Sequence, residues 1–284
     1  MNLKQNALAA FLANSYFDLR NRGLEKLIFT ATTGRSGTKT LANIFSIVPG
    51  FLALHEPYPI MNDKVLRAAT YGDLEYVERI YRQVKSVNIR RAAVGYRYYL
   101  ESSHLFVKTF IHHAARDFGN RVGVIHLVRA PTEVANSIYQ LQHYPGTEEG
   151  NRWWLDHRAP SNRIKLADIL DTHKEFSHPF YRGLWYWFEI ETRIAEWEKR
   201  LPSVPFIRFE TNWLSDEQRV FNLLDRLNVK FDKSAIHTLI GSRENVREHH
   251  KLISPVGKRE SALMLTRFQE LVTENGFTLP LLHA

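Results

Sequence analysis

The chain has 284 residues, 44% hydrophobic and 24% charged, which is long enough for one sizeable core and ordinary for a globular protein. It has no cysteine, which excludes a disulfide framework, a thiolate metal site and a Cys nucleophile. The net charge is +8, yet no finger, homeodomain or RNA-recognition signature accompanies it, so the surplus points to a small polyanionic ligand rather than nucleic acid.

In chain order, residues 3–21 read as an amphipathic helix without the charged start and cleavage site of a signal peptide. No apolar run approaches the eighteen or so residues of a membrane span, and a cytoplasmic location is expected. A β-prone run at 26–32 then enters Thr33-Gly34-Arg35-Ser36-Gly37-Thr38-Lys39-Thr40 and a helical pattern at 38–47. Glycines that let backbone N–H groups turn inward, followed by a helix N-terminus, make a phosphate cradle. Gly34, Arg35, Ser36, Gly37, Thr38, Lys39 and Thr40 are the candidate ligands. The spacing differs from the nucleoside-triphosphatase loop, because Lys39 comes one place late after Gly37.

A short strand at 51–55, helices near 62–69 and 72–86, and a helix near 104–118 follow. The buried strand 122–128 ends at Arg129, where a metal-dependent phosphotransferase tends to carry an Asp for Mg²⁺. An arginine there suits direct, bidentate capture of a second anion. Pro131 fits the first turn of a helix at 131–141, which carries Ser137 eight residues after Arg129. A polar segment at 142–178, with Trp153 and Trp154, breaks the rhythm and reads either as a lid or acceptor-recognition segment or as a surface excursion with short helices. A helix at 180–200, a strand at 205–209 and a helix at 215–227 restore it, and 233–277 reads helical with a polar interruption. Alternation of this kind predicts a single α/β domain spanning 1–284, with a parallel β-sheet flanked by helices on both faces.

The loop Thr33–Thr40 together with Leu127-Val128-Arg129-Ala130-Pro131 and Ser137 resembles the sulfotransferase superfamily that uses 3′-phosphoadenosine 5′-phosphosulfate. Weaker echoes follow at Leu184–Phe188 and at Phe206–Glu210 with Trp213 and Leu214. The resemblance covers roughly residues 27–230, leaves 142–178 unmatched, and implies a P-loop-like sulfotransferase fold. It also implies that the first loop holds the 5′-phosphosulfate while Arg129 and Ser137 hold the 3′-phosphate. Arg35 would be catalytic, as in the branch that carries arginine in this loop. A basic loop near Arg247 would either close over the 3′-phosphate or stand as a solvated charged loop.

The resemblance leaves two candidates for the general base, Glu56 in Leu54-His55-Glu56-Pro57 and His104 in Ser103-His104-Leu105. A histidine has the more convenient unperturbed pKa; the loop arginine favours Glu56. The implied reaction is metal-free sulfuryl transfer to a hydroxyl acceptor such as a glycan, a lipid-linked sugar or a small natural product. The alternatives are a Mg²⁺-dependent phosphotransferase and a non-catalytic nucleotide-binding module. The aromatics 185–188 read as core, and Trp153 and Trp154 as the better acceptor contacts.

Overall fold

The structure is a computed structural model, in which residues 3–231 and 253–278 are described. Among the described residues, five strands form one all-parallel sheet in the order β2-β3-β1-β4-β5. They are β1 (Lys26–Ala31), β2 (Phe51–His55), β3 (Tyr98–Ser102), β4 (Val122–Val128) and β5 (Phe206–Glu210). The chain leaves β1 for one edge, returns through β3, then crosses to β4 on the other side. The order therefore reverses around β1, and a crevice opens beyond the carboxyl ends of β1, β3 and β4.

Strands buried on both faces alternate their side chains between two apolar layers. Ile28, Leu100, Ile125, Leu127 and Phe209 meet helices α1 (Thr38–Ser46) and α2 (Glu217–Arg226). Leu27, Phe29, Tyr99, Val122 and Val124 face the opposite layer, built by α3 (Phe106–Thr109), α4 (Ile111–Phe118), α5 (Pro131–Gln140) and α6 (Pro179–Arg200). At its centre Phe29 stacks on Phe106 with ring centroids 4.6 Å apart, and Phe110 meets both rings. Burying each such ring stabilises the fold by about 1.5–3 kcal/mol.

The long helix α6 is the scaffold beneath the crevice. Pro179 opens it, the His178 ring accepts from the Phe180 N–H, and Lys199 and Arg200 close it against the helix dipole. It packs closely on α5, where a Cβ added to Gly183 would lie 2.9 Å from the Ala135 Cα. That approach brings Tyr186 and Trp187 under the strand ends.

Strand β3 corrects the reading from sequence, which has no strand between the 72–86 helix and His104. Glu101 interrupts its apolar run, yet it is fully buried and paired with the buried Lys85 at 2.6 Å. Tyr99 also donates to it at 2.9 Å. A charge whose partner lies sixteen residues upstream disguises a core strand. The helical run before it is also longer than expected, continuing as a π turn at Tyr81–Lys85 and a helix at Ser86–Ala92.

Segment 142–178 holds two short helices, Glu148–Trp153 and Ala167–Thr172, and buries Trp154, Leu155, Ile164, Leu166 and Leu170. It is anchored on α6. Glu189, paired with Arg193, accepts from the backbone N–H groups of Arg163 and Ile164, and Trp185 donates to the Ile164 carbonyl at 2.8 Å. No helix among the described residues is long and apolar enough to cross a membrane.

Candidate active site

The loop after β1 has the backbone of an anion cradle. Gly34, Arg35 and Gly37 have φ of 81°, 57° and 80°, the left-handed conformation that turns successive N–H groups to one side. Gly37 leads directly into the N-terminus of α1, whose first turn contains Thr38, Lys39 and Thr40. Side chains brace this shape from behind. Buried Ser36 donates to the Gly34 carbonyl and touches the Thr33 hydroxyl, so its side chain belongs to the loop's own framework. The Thr211 hydroxyl lies 2.9 Å from the carbonyls of both Ser36 and Val128, tying the β1 loop to the end of β4. Thr38 is buried, with its hydroxyl 3.0 Å from His55 Nε2, whereas Lys39 is exposed.

The second motif meets the first. Arg129 Nη1 donates to the Arg35 carbonyl at 2.9 Å, and Arg129 Nε donates to Glu133 one turn along α5 at 2.7 Å. The Arg35 guanidinium in turn donates to Ser137 Oγ at 2.9 Å. Arg35, Arg129 and Ser137 thus form one basic corner at the ends of β1 and β4. Arg247 lies outside the described residues.

Glu56 and His104 follow neighbouring strands, β2 and β3, and the two candidates for general base touch each other. His104 Nε2 lies 3.3 Å from Glu56 Oε1. Glu56 has a left-handed backbone, φ 49°, and its N–H donates to the Ser102 carbonyl. Its side chain is one-fifth exposed, whereas the His104 ring is buried. The ring lies against the cradle, so a Cβ on Gly34 would sit 3.1 Å from it. Trp153 and Trp154 enclose it, with centroids 6.0 and 5.3 Å away. Trp153 is half-buried and Trp154 buried, so the pair forms the inner wall beside His104. Burial, followed by the charge of Lys108, holds His104 well below the usual histidine range.

Lys108 escaped the reading from sequence. It sits one helical turn after His104, and the i,i+4 spacing is its only trace in the sequence. Its Nζ is 2.8 Å from His104 Nδ1, 3.0 Å from the Trp153 carbonyl and 3.1 Å from the Tyr186 hydroxyl. The aromatics of α6 are core, as expected, but their polar tips also pin the site. Tyr186 donates to the Thr33 carbonyl at 2.8 Å, and Trp187 to the Arg129 carbonyl at 2.9 Å.

Fold and site together define an α/β protein with a left-handed Gly-Arg-Ser-Gly loop and a basic corner at the switch point of a parallel sheet. The structure is similar to the sulfotransferase domain from the curacin biosynthetic pathway, with TM-score 0.45 and 14% identity over 90% of this chain and 99% of that one. It is also similar to the sulfotransferase domain of the Synechococcus PCC 7002 olefin synthase, with TM-score 0.48 and 14% identity over 90% and 95%. For sulfotransferase STF1 of Mycobacterium tuberculosis the values are 0.44 and 11%, over 95% and 83%. No protein-family model matches the chain, and no curated protein matches it by sequence.

Proposed function

We propose that this chain is a sulfotransferase that moves a sulfuryl group from 3′-phosphoadenosine 5′-phosphosulfate to an acceptor hydroxyl. The observation that carries the reading is the meeting of three features at one crevice. They are a left-handed cradle bearing Arg35, a basic corner at Arg129 and Ser137, and a carboxylate–imidazole pair at Glu56 and His104.

In this reading the N–H groups of residues 34–40 take the 5′-phosphosulfate, and Arg129 and Ser137 take the 3′-phosphate. The acceptor oxygen forms a bond to sulfur as the bond from sulfur to the bridging phosphate oxygen breaks. The acceptor's proton passes to the Glu56–His104 pair, and the 3′,5′-bisphosphate leaves with the bridging electrons. Arg35 stabilises the charge that develops on that leaving oxygen, which preorganised donors do most effectively in a water-poor site. The acceptor belongs to the hydroxyl-bearing class, such as a glycan or small natural product, with Trp153 flanking its approach.

Calorimetric titration with 3′-phosphoadenosine 5′-phosphate, ADP and ATP in EDTA tests the reading. Micromolar binding that depends on the 3′-phosphate and weakens in Arg129→Ala is the expected result. ATP binding restored only by Mg²⁺ would instead put a phosphotransferase in its place.

A further inference from the structure

The hydrogen bonds around Lys108 limit which member of the Glu56–His104 pair can take the proton. The Trp153 carbonyl accepts one Lys108 hydrogen, because a carbonyl can only accept. The Tyr186 hydrogen is committed to the Thr33 carbonyl, so the Tyr186 oxygen accepts a second. The third partner, His104 Nδ1 at 2.8 Å, allows two arrangements of a neutral ring, the state that burial favours. In one, an ammonium hydrogen points at a bare Nδ1, the ring proton sits on Nε2, and Glu56 is a carboxylate. In the other, a neutral amine accepts an Nδ1–H, a bare Nε2 faces Glu56, and Glu56 must be protonated to avoid opposing lone pairs. Both hold the same number of protons.

Surroundings favour the first. Lys108 Nζ lies over the rings of Trp154 and Tyr186, 5.6 and 5.4 Å from their centroids, and aromatic faces attract a cation. Glu56 is the member nearer to solvent, with its side chain one-fifth exposed. Burial pushes Lys108 well below the usual lysine range while Glu56 pulls it back. The Trp153 carbonyl, the Tyr186 oxygen and the two ring faces act against that burial.

Resting on the sulfotransferase reading, we infer that Lys108 is a positioning residue: its ammonium occupies His104 Nδ1, fixes the ring proton on Nε2 towards Glu56, and leaves Glu56 to accept the acceptor's proton. His104 then has no nitrogen available as a base. It orients Glu56, and the two candidates read from sequence become one base and its support.

The test is long-range ¹H–¹⁵N correlation on the full-length, ¹⁵N-histidine-labelled protein near neutral pH, with His104 assigned through His104→Asn. A bare Nδ1 and a protonated Nε2 are expected. A protonated Nδ1 would overturn the inference. This measurement needs no turnover, so a failure of the transfer reaction, read by nucleotide titration and acceptor assays, stays distinguishable from a failure here.

In Lys108→Met, kcat should fall about 10²-fold, the scale of one general-base contribution, with bisphosphate affinity unchanged within about twofold. The acid limb of the pH–rate profile should also shift, as His104 regains a nitrogen able to take a proton. The groups facing this pair are His55, Arg35 and His143 around His104, and Glu56 and Arg193 around Lys108, and all remain in the variant. Unchanged kcat with an unchanged profile would also overturn the inference. Where Lys108→Met does not fold, the tautomer of the unmodified protein decides alone.

Discussion

Arg35 Nε donates to the hydroxyl of Ser137 across 2.9 Å, joining residues 102 positions apart in the chain. Arg129 grips the same residue from the other side through its backbone carbonyl. The two motifs are therefore linked twice, because Ser137 accepts from the Arg35 guanidinium and the Arg35 carbonyl accepts from Arg129.

This coupling has a measurable size. Arg35→Ala and Ser137→Ala should each weaken binding of the bisphosphate, by about 1.5–3 kcal/mol for a charge-assisted contact. The double variant should show an interaction energy of about 0.5–3 kcal/mol, as expected for contacting residues. Strict additivity in the titrations would mean that the contact does not matter to the site. Arg35→Ala should also lower kcat by about 10²–10³-fold, the cost of one preorganised donor.

Glu56→Gln keeps the shape of the side chain but removes its basicity, and should lower kcat by about 10²–10⁴-fold. His104→Asn should cost less, because it removes orientation but leaves the carboxylate in place. Single-turnover rates with saturating donor measure both. A larger loss in His104→Asn than in Glu56→Gln would reverse the two roles.

Gly34 answers two demands at once, a φ of 81° and the His104 ring 3.1 Å from where a Cβ would sit. Gly34→Ala should destabilise the protein by about 1–3 kcal/mol and displace the cradle from the ring. Urea denaturation and nucleotide titration should therefore change together. An intact affinity in this variant would show that the cradle tolerates the shift.

Burial holds His104, His113 and His157 below the usual histidine range. The unfolded chain therefore takes up protons first as pH falls below about 6.5, and the folded state loses stability there. The slope for each such group approaches about 1.4 kcal/mol per pH unit until its folded-state value is reached. Urea unfolding at pH 7.5, 6.5 and 5.5 should show this decline, and His104→Asn should make it shallower. A flat profile would contradict the buried, neutral rings.

Lys85 donates to the carbonyls of Pro57 and Pro59, directly after Glu56, while its charge is balanced by Glu101. Lys85→Met should cost about 3–5 kcal/mol, because it leaves a buried carboxylate unpaired. Adding Glu101→Leu should recover much of that loss. If the double variant is as unstable as the single one, the carbonyl contacts, not the charge pair, hold the strand and the Glu56 turn.

By itself the sequence determined the parts of the protein that depend on local pattern. Continuous apolar runs made β1 and β4 visible, and Gly34, Gly37 and Pro131 marked the turns and helix starts that follow them. Arg35 and Arg129 could be picked out as cations in the turns after β1 and β4, and Ser137 only through the family resemblance. Only the tertiary structure decided the rest. Strand β3 was hidden because Glu101 is acceptable in a core only beside Lys85, a pairing that no local window contains. The contact between Glu56 and His104 arises because β2 and β3 lie side by side in the sheet, although 48 residues separate the two in the chain. Lys108 and Tyr186 look like an ordinary helical lysine and a core aromatic until folding brings their polar atoms within 3.1 Å. Local periodicity specifies elements and turns, whereas the direction of a proton depends on atoms that meet only when the sheet has assembled.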